Sequence, residues 1–530
     1  MPINLNKKTT LVSSVTFDSI LIYIFPILIA VISMARHLPD RNFDRRNAYD
    51  YNVWAFLENR YAQDWMPSGL GSYLNPIVNI PAYLIGSMPI IFSFLFGIIL
   101  LITYLHFVLK ILDSIDEGGI LRIKRNRMAF AIISSASPLF LSELGTAMSG
   151  YTSSVFVVVG LYFFIKGMQQ EKIKCFIISG LLMGLSVHFK LVNAIALVAI
   201  LPCFVFVNTR RFVSLACFAF GSITTLVIFS PWYLYVYSKF QNPVFPLFNG
   251  FFNSPYYPNF NFKDQRWNMD SPEKFLQLVS GLWARINTEI PAFDLRIFLV
   301  SSLFIALAAN FRVIIPRFKQ NKTESLLLLW FFSFAFLWME TSFIARYFMP
   351  GELMIVVVFF ILVKNLFDST LFKGNGFLIL GILVMSVMHV PNWNTWQEQF
   401  LNSNTKISKI DARWQFPEGI SVPSNSQILT LGEPISYIFK FFPKDSNFIN
   451  IGWPKYNSGI EIDPPASIVS SIMKTSSDNF FLTVLALKDP AAEKIANEYL
   501  ARYKLQVIIT SCKSFRTSSE EFMLCNLENR

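Results

Sequence analysis

The chain has 530 residues, of which 53% are hydrophobic and only 15% charged, whereas soluble domains carry about 25% charged residues. Its net charge of +11 does not point to nucleic acid, because the lysines and arginines cluster in short loops between apolar runs, as the positive-inside rule expects. Composition excludes an ordinary soluble domain and predicts a mainly α, polytopic transmembrane helix bundle.

The N-terminus, MPINLNKKTT, is short and basic. The long apolar run that follows has no small-residue cleavage site, so it reads as a retained helix and not a cleaved signal. Apolar runs of about 20 residues, the length needed to span hydrocarbon, recur up to Val390. They predict about 11 spans, near 17–36, 88–112, 128–147, 151–167, 175–189, 191–208, 213–236, 296–311, 325–342, 346–364 and 376–391. The pair at 175–208 is the least distinct, because only the short break at His188–Lys190 divides it. The 55 phenylalanines suit lipid-facing helices.

With the N-terminus in the cytoplasm, every inner connection is basic. These carry Arg122, Lys124, Arg125 and Arg127, then Lys166, Lys172 and Lys174, then Arg210 and Arg211, then Arg312, Arg317, Lys319 and Lys322, then Lys364 and Lys373. The expected setting is a cell inner membrane. The transmembrane domain is 1–391, with outer loops 37–87 and 237–295, and 392–530 forms a small extracytoplasmic α/β domain. The first loop mixes apolar and polar residues with Trp and Tyr, consistent with helices lying in the interface plane. The second, with NPVFPLFNGFFNSPYYPNF, holds too many prolines and asparagines for a span. It is expected to pack on the membrane beside the site, with Phe245 and Phe251 near lipid or cavity; a structural plug between helices is the alternative.

The tail alternates strand-like runs (QILTLG, NFINIG, FFLTVLAL, LQVIIT) with the helical stretch DPAAEKIANEYLARY. Cys175, Cys203 and Cys217 lie in or beside apolar runs and read as packing residues. Cys512 and Cys525 are spaced for two antiparallel strands, and a disulfide is allowed outside the cytoplasm. Two free thiols are the other reading. No CxxC or His/Cys metal spacing is present in the sequence.

Charged groups near a bilayer are costly, which makes those beside spans candidates for function. The first loop, DRNFDRRNAYDYNVWAFLENRYAQD, sets Asp40, Asp44, Asp50, Glu58 and Asp64 among Arg41, Arg45, Arg46 and Arg60. A carboxylate can deprotonate an acceptor hydroxyl, and an arginine can hold a departing phosphate through paired hydrogen bonds. A solvated, mutually neutralising loop would have the same composition. Further charges fall at the predicted outer edge: Glu143, Lys190, Asp264, Arg266, Arg346 and Glu352. Each alone is a weak signal, since a lone edge arginine is more often a headgroup anchor; together they fit one outer-leaflet site.

The layout resembles the GT-C class of polytopic membrane glycosyltransferases, of the bacterial type dependent on polyprenyl-phosphate sugars. The likeness is carried by DRRNAYDYNVWAFLENRYAQDWMPSGLGSYLNP, then ELGT, FKL, NPVFPLFNGFFNSP with its following DQR, and RYFMPGEL, in that order, over roughly 17–365; it also touches LGEPISYI in the tail. It implies that Asp44 is the catalytic carboxylate. Asn47, Arg60 and Asp64 match the flanking pattern, and Lys190, Arg266 and Arg346 match basic positions that bind lipid phosphate. Asp50, Glu143, Asp264 and Glu352 complete the expected substrate-binding set. Tyr49 stands where the pattern has His, and an Asp that often follows the ELGT block is replaced within MSGYTSS, which bears on any paired acidic metal site. No metal ligand is assigned.

The implied activity moves a sugar from a polyprenyl-phosphate donor to an envelope glycan, lipid or protein acceptor, with inversion. It requires no cofactor, although a divalent metal is compatible with it. The alternatives are a lipid or polysaccharide transporter, a surface-glycan polymerase or ligase, and a noncatalytic envelope scaffold.

Overall fold

The apolar runs form helices that pack into one bundle. The computed structural model describes residues 17–38, 40, 42–207, 210–261, 267–283, 287–309, 321–367, 374–393, 422–432, 435–452, 466, 468–470, 480–484, 490–516 and 521–530. Among these, five helices are long and apolar enough to cross a membrane: Ile91–Ile115, Ser149–Gln170, Arg211–Phe240, Lys322–Thr341 and Met349–Leu366. Shorter apolar helices stand beside them, including Ile22–His37, Ile173–Phe189 and Gly376–Val387. Met349–Leu366 is buried along nearly its whole length and forms the axis of the bundle.

Two of the predicted spans are interrupted. The run at 128–147 divides into Lys124–Ser135 and Pro138–Glu143. Pro138 cannot donate to the preceding turn and sits at the start of the new helix. The Ser137 side chain caps that helix by accepting from Phe140 N at 3.3 Å. The run at 191–208 is a short helix, Ala194–Ala199, between 3-10 turns, with Pro202 in the second of them.

Small residues bring two helices into backbone contact. A Cβ on Gly180 would lie 2.0 Å from the Phe218 carbonyl oxygen, and one on Gly221 would lie 2.2 Å from that of Ile177. Gly180 and Gly184 are four residues apart, the spacing that lets membrane helices approach closely. Gly180→Val is expected to lower the melting temperature of detergent-purified protein by roughly several degrees. Gly376→Ala, where nothing lies within 4 Å of the added atom, leaves it unchanged.

The tail carries a six-stranded mixed sheet. Strand Asn447–Gly452 forms its edge and pairs in parallel with Gln427–Leu431, which pairs in parallel with Phe480–Val484. Glu521–Asn529 runs antiparallel to Phe480–Val484 and to Leu505–Val507, and Lys513–Arg516 folds back on it as a hairpin. Helix Pro490–Ala501 precedes Leu505–Val507. Cys512 and Cys525 form a disulfide across this region. Thiol labelling in denaturant is therefore expected to miss both cysteines in unreduced protein and to modify both after reduction.

Two hydrophobic clusters divide the interior. One fills the helix bundle. The other joins Tyr51, Tyr61, Trp65 and Tyr73 of the first loop to Ile428, Leu429 and Phe448 of the tail. The first loop is thus built into the interior of the tail.

Candidate active site

Segments from distant parts of the sequence enclose a cavity of about 450 Å³. Its walls are largely apolar, with Val187, Leu191, Val244 and Phe245 among them; the charged groups Asp44, Lys190 and Arg346 converge on it beside polar side chains that include Tyr49, Asn75, Asn79 and His188. That mix of apolar wall and sparse placed polarity is typical of ligand sites.

Asp44 is set in place by anchored residues on either side. The first helix ends at His37, whose ring nitrogen lies 2.8 Å from the Leu144 carbonyl oxygen. Asp40 accepts from Ala147 N at 2.9 Å and from Asn42 N at 3.0 Å. The Asn42 side chain in turn accepts from Asp44 N at 2.8 Å. The ELGT block therefore anchors the start of the first loop. Beyond Asp44 the chain makes a π-helical turn, Arg45–Tyr49, before the helix Asp50–Leu57. Such turns recur at functional sites.

Lys190 ends helix Ile173–Phe189 in an extended conformation. Its ammonium lies 4.8 Å from the centre of the Tyr347 ring. Behind it, a Cβ on Gly150 would meet a Glu143 carboxylate oxygen at 2.3 Å and Lys190 Nζ at 2.8 Å, so this close meeting of acid and ammonium needs a glycine there. Glu143 is fully buried. One of its oxygens accepts from Tyr151 N at 3.2 Å, and the other has no partner among the described residues.

Arg346 lies on the 3-10 turn Ala345–Tyr347, just before the axial helix. One nitrogen is 2.5 Å from Asp44 Oδ2, and another is 3.5 Å from Glu289 Oε1. The Asp44 side chain keeps 34% of its exposure and lines the cavity, so the pair is open to a ligand. Burial works against the charge of Arg346, but Asp44 and Glu289 outweigh it and hold the guanidinium protonated.

The second loop closes one side of the cavity, and its asparagines fold it. The buried Asn242 amide donates to Leu247 O at 2.9 Å, and its oxygen accepts from Val244 N at 3.0 Å. Asn249 donates to the carbonyls of Ser254 and Tyr257 and accepts from Ser254 N. Phe245 is buried at the cavity wall, whereas Phe251 is 77% exposed.

The remaining candidates lie elsewhere. Asn47 is buried, and its amide has no partner among the described residues. Asp50 is 3.3 Å from Arg45 Nε; burial raises its pKa and Arg45 partly offsets this. Arg60 and Asp64 form a buried pair, 2.7 Å apart, turned toward the tail and not the cavity. Glu352 is sealed in the bundle beside Arg296, at 3.3 Å, and Asp294 meets the same guanidinium nitrogen at 2.6 Å. Placed there, it is an internal partner of Arg296 and does not line this cavity. Asp264 and Arg266 lie outside the described residues. Sequence reasoning missed Glu289, whose segment RINTEIPAF carries no motif and whose role appears only through Arg346. Among the described residues no group of three or more His, Cys, Asp and Glu side chains is placed to hold a metal ion.

A model of the dolichyl-phosphate-mannose-protein mannosyltransferase family matches residues 82–235. No curated protein matches the chain in sequence. Among solved structures, ArnT from Cupriavidus metallidurans bound to undecaprenyl phosphate is 12% identical, with 96% of this chain and 98% of that one covered and a TM-score of 0.55. The same protein in the apo state gives 12% identity, 96% and 97% coverage, and a TM-score of 0.50. The chain has the GT-C fold, a membrane helix bundle with a small C-terminal sheet domain.

Proposed function

We propose that this protein is a membrane glycosyltransferase that moves a sugar from a polyprenyl-phosphate donor to a cell-envelope acceptor on the outer face of the membrane. The observation that carries the reading is the convergence of Asp44, Lys190 and Arg346 on one mostly apolar cavity. An apolar wall suits a lipid chain, two cations suit a phosphate, and a carboxylate beside them suits a hydroxyl proton. The ArnT structure with undecaprenyl phosphate lends support through its shared fold.

In the proposed reaction Asp44 takes the proton of an acceptor hydroxyl. The hydroxyl oxygen bonds to the anomeric carbon as the bond to the phosphate oxygen breaks, and the phosphate leaves with its added charge met by Lys190 and Arg346. Displacement in one step inverts the anomeric centre. The phosphate ester is already a fair leaving group, so the chemistry requires no cofactor. Arg346 is paired with Asp44 before donor arrives; in this scheme the donor phosphate takes the guanidinium and leaves the carboxylate to the acceptor.

The basic connections argue for a cytoplasmic N-terminus and a tail outside. Sugar analysis of envelope lipids, glycans and proteins from cells with and without the protein tests the function. Loss of one sugar from one acceptor class is expected; an unchanged sugar content would overturn the reading.

A further inference from the structure

Strand Asn447–Gly452 is the edge of the tail sheet, and an open edge is a template for pairing. The first loop occupies it. Trp65 N donates to Phe448 O at 2.8 Å and Asn450 N donates to Trp65 O at 3.0 Å, which makes a parallel bridge at Ile449. Next to this bridge, Asp64 accepts from Phe448 N at 3.1 Å, and Arg60 donates to the carbonyls of Lys444 and Ser446.

A second tie lies nearer the base. Ser436 Oγ donates to Asn47 O at 2.7 Å and accepts from Ser68 Oγ at 2.9 Å. Asn47 sits in the π-helical turn that follows Asp44 directly. Such a turn departs from the regular α ladder, and a buried carbonyl needs a donor from somewhere. Here a hydroxyl of the tail supplies one.

We infer that the tail domain positions the catalytic base, with Ser436 as a positioning residue that acts on Asp44 through the Asn47 carbonyl. This rests on the reading of Asp44 as the base. The tail is thereby a working part of the active site: it fixes the turn that presents the carboxylate to the cavity. A base displaced by about 1 Å loses on the order of a hundredfold in rate.

The test uses the full-length purified protein as wild type, Ser436→Ala and Ser436→Thr. Amide exchange of 44–52 is expected to quicken about five- to tenfold in Ser436→Ala. Exchange in 349–366, the melting temperature and binding of undecaprenyl phosphate stay at wild-type values. Ser436→Thr, which keeps the hydroxyl, restores slow exchange. With a transfer assay in hand, kcat falls on the order of ten- to a hundredfold in Ser436→Ala while the donor KM holds. Wild-type exchange at 44–52 in Ser436→Ala overturns the inference, as does a Ser436→Thr protein as loose as Ser436→Ala. A wild type that transfers no sugar refutes the proposed function, and exchange then decides the coupling alone. A wild type and a Ser436→Ala variant that transfer equally fast refute the coupling and leave the function standing.

Discussion

Asp44→Asn is expected to slow sugar transfer by about 10²- to 10⁴-fold, the usual contribution of a general base. The substitution keeps the shape of the side chain and removes its ability to take a proton. Donor binding should hold or tighten, because Arg346, now 2.5 Å from the carboxylate, would be released to the phosphate. That split separates the account from a structural one. If Asp44 served only to neutralise Arg346, Asp44→Asn would leave the rate near that of the wild type. Single-turnover rates and undecaprenyl-phosphate affinity, measured on the same purified variant, decide between them.

Lys190→Ala should produce the opposite pattern. It removes one of two cations from the cavity, and weaker donor binding by roughly ten- to a hundredfold is expected for a charge-assisted contact. It also leaves Glu143 buried without its neighbouring ammonium. A buried carboxylate that loses a nearby cation is left less compensated, so the single variant should also melt earlier. Lys190→Ala combined with Glu143→Gln removes the stranded charge. The pair is expected to be non-additive in stability: the double variant regains melting temperature without regaining donor affinity. Recovery of affinity along with stability would make Lys190 a folding residue only.

The helices were legible because hydrocarbon demands long apolar runs, and those survive any detail of packing. The break at Ala136–Ser137 was hidden by hydropathy, although Ser137 and Pro138 together spell a helix start. In the tail, short strand-like runs marked four strands and DPAAEKIANEYLARY marked the helix. The spacing of Cys512 and Cys525 pointed to the antiparallel pair Lys513–Arg516 and Glu521–Asn529, but the further partners of Glu521–Asn529, Phe480–Val484 and Leu505–Val507, leave no mark around it in the sequence.

At the site, residue type gave the candidates and long-range contact sorted them. Asp44 and Arg346 are 302 residues apart, so their pairing leaves no local trace. Arg60 and Asp64 fit the same acidic and basic pattern as Asp44. Only strand Asn447–Gly452, which lies 384 residues further along where Phe448 meets Asp64, turns them into a tie to the tail. Glu289 and Glu352 are both acids near the start of a span. Glu289 meets Arg346 at the cavity, whereas Glu352 meets Arg296 inside the bundle. Each acid's place was decided by its arginine partner, and nothing around either residue in the sequence announces it.

The most direct test of the central claim is release of free polyprenyl phosphate by purified protein. The reaction would contain a polyprenyl-phosphate sugar and envelope lipid extract, and it would be run with wild type and Asp44→Asn in parallel. The account predicts polyprenyl phosphate and glycosylated acceptor formed in equal amounts by the wild type, the new bond inverted, and almost none of either from Asp44→Asn. Equal release by both proteins, or consumption of donor with no sugar on any acceptor, would contradict it.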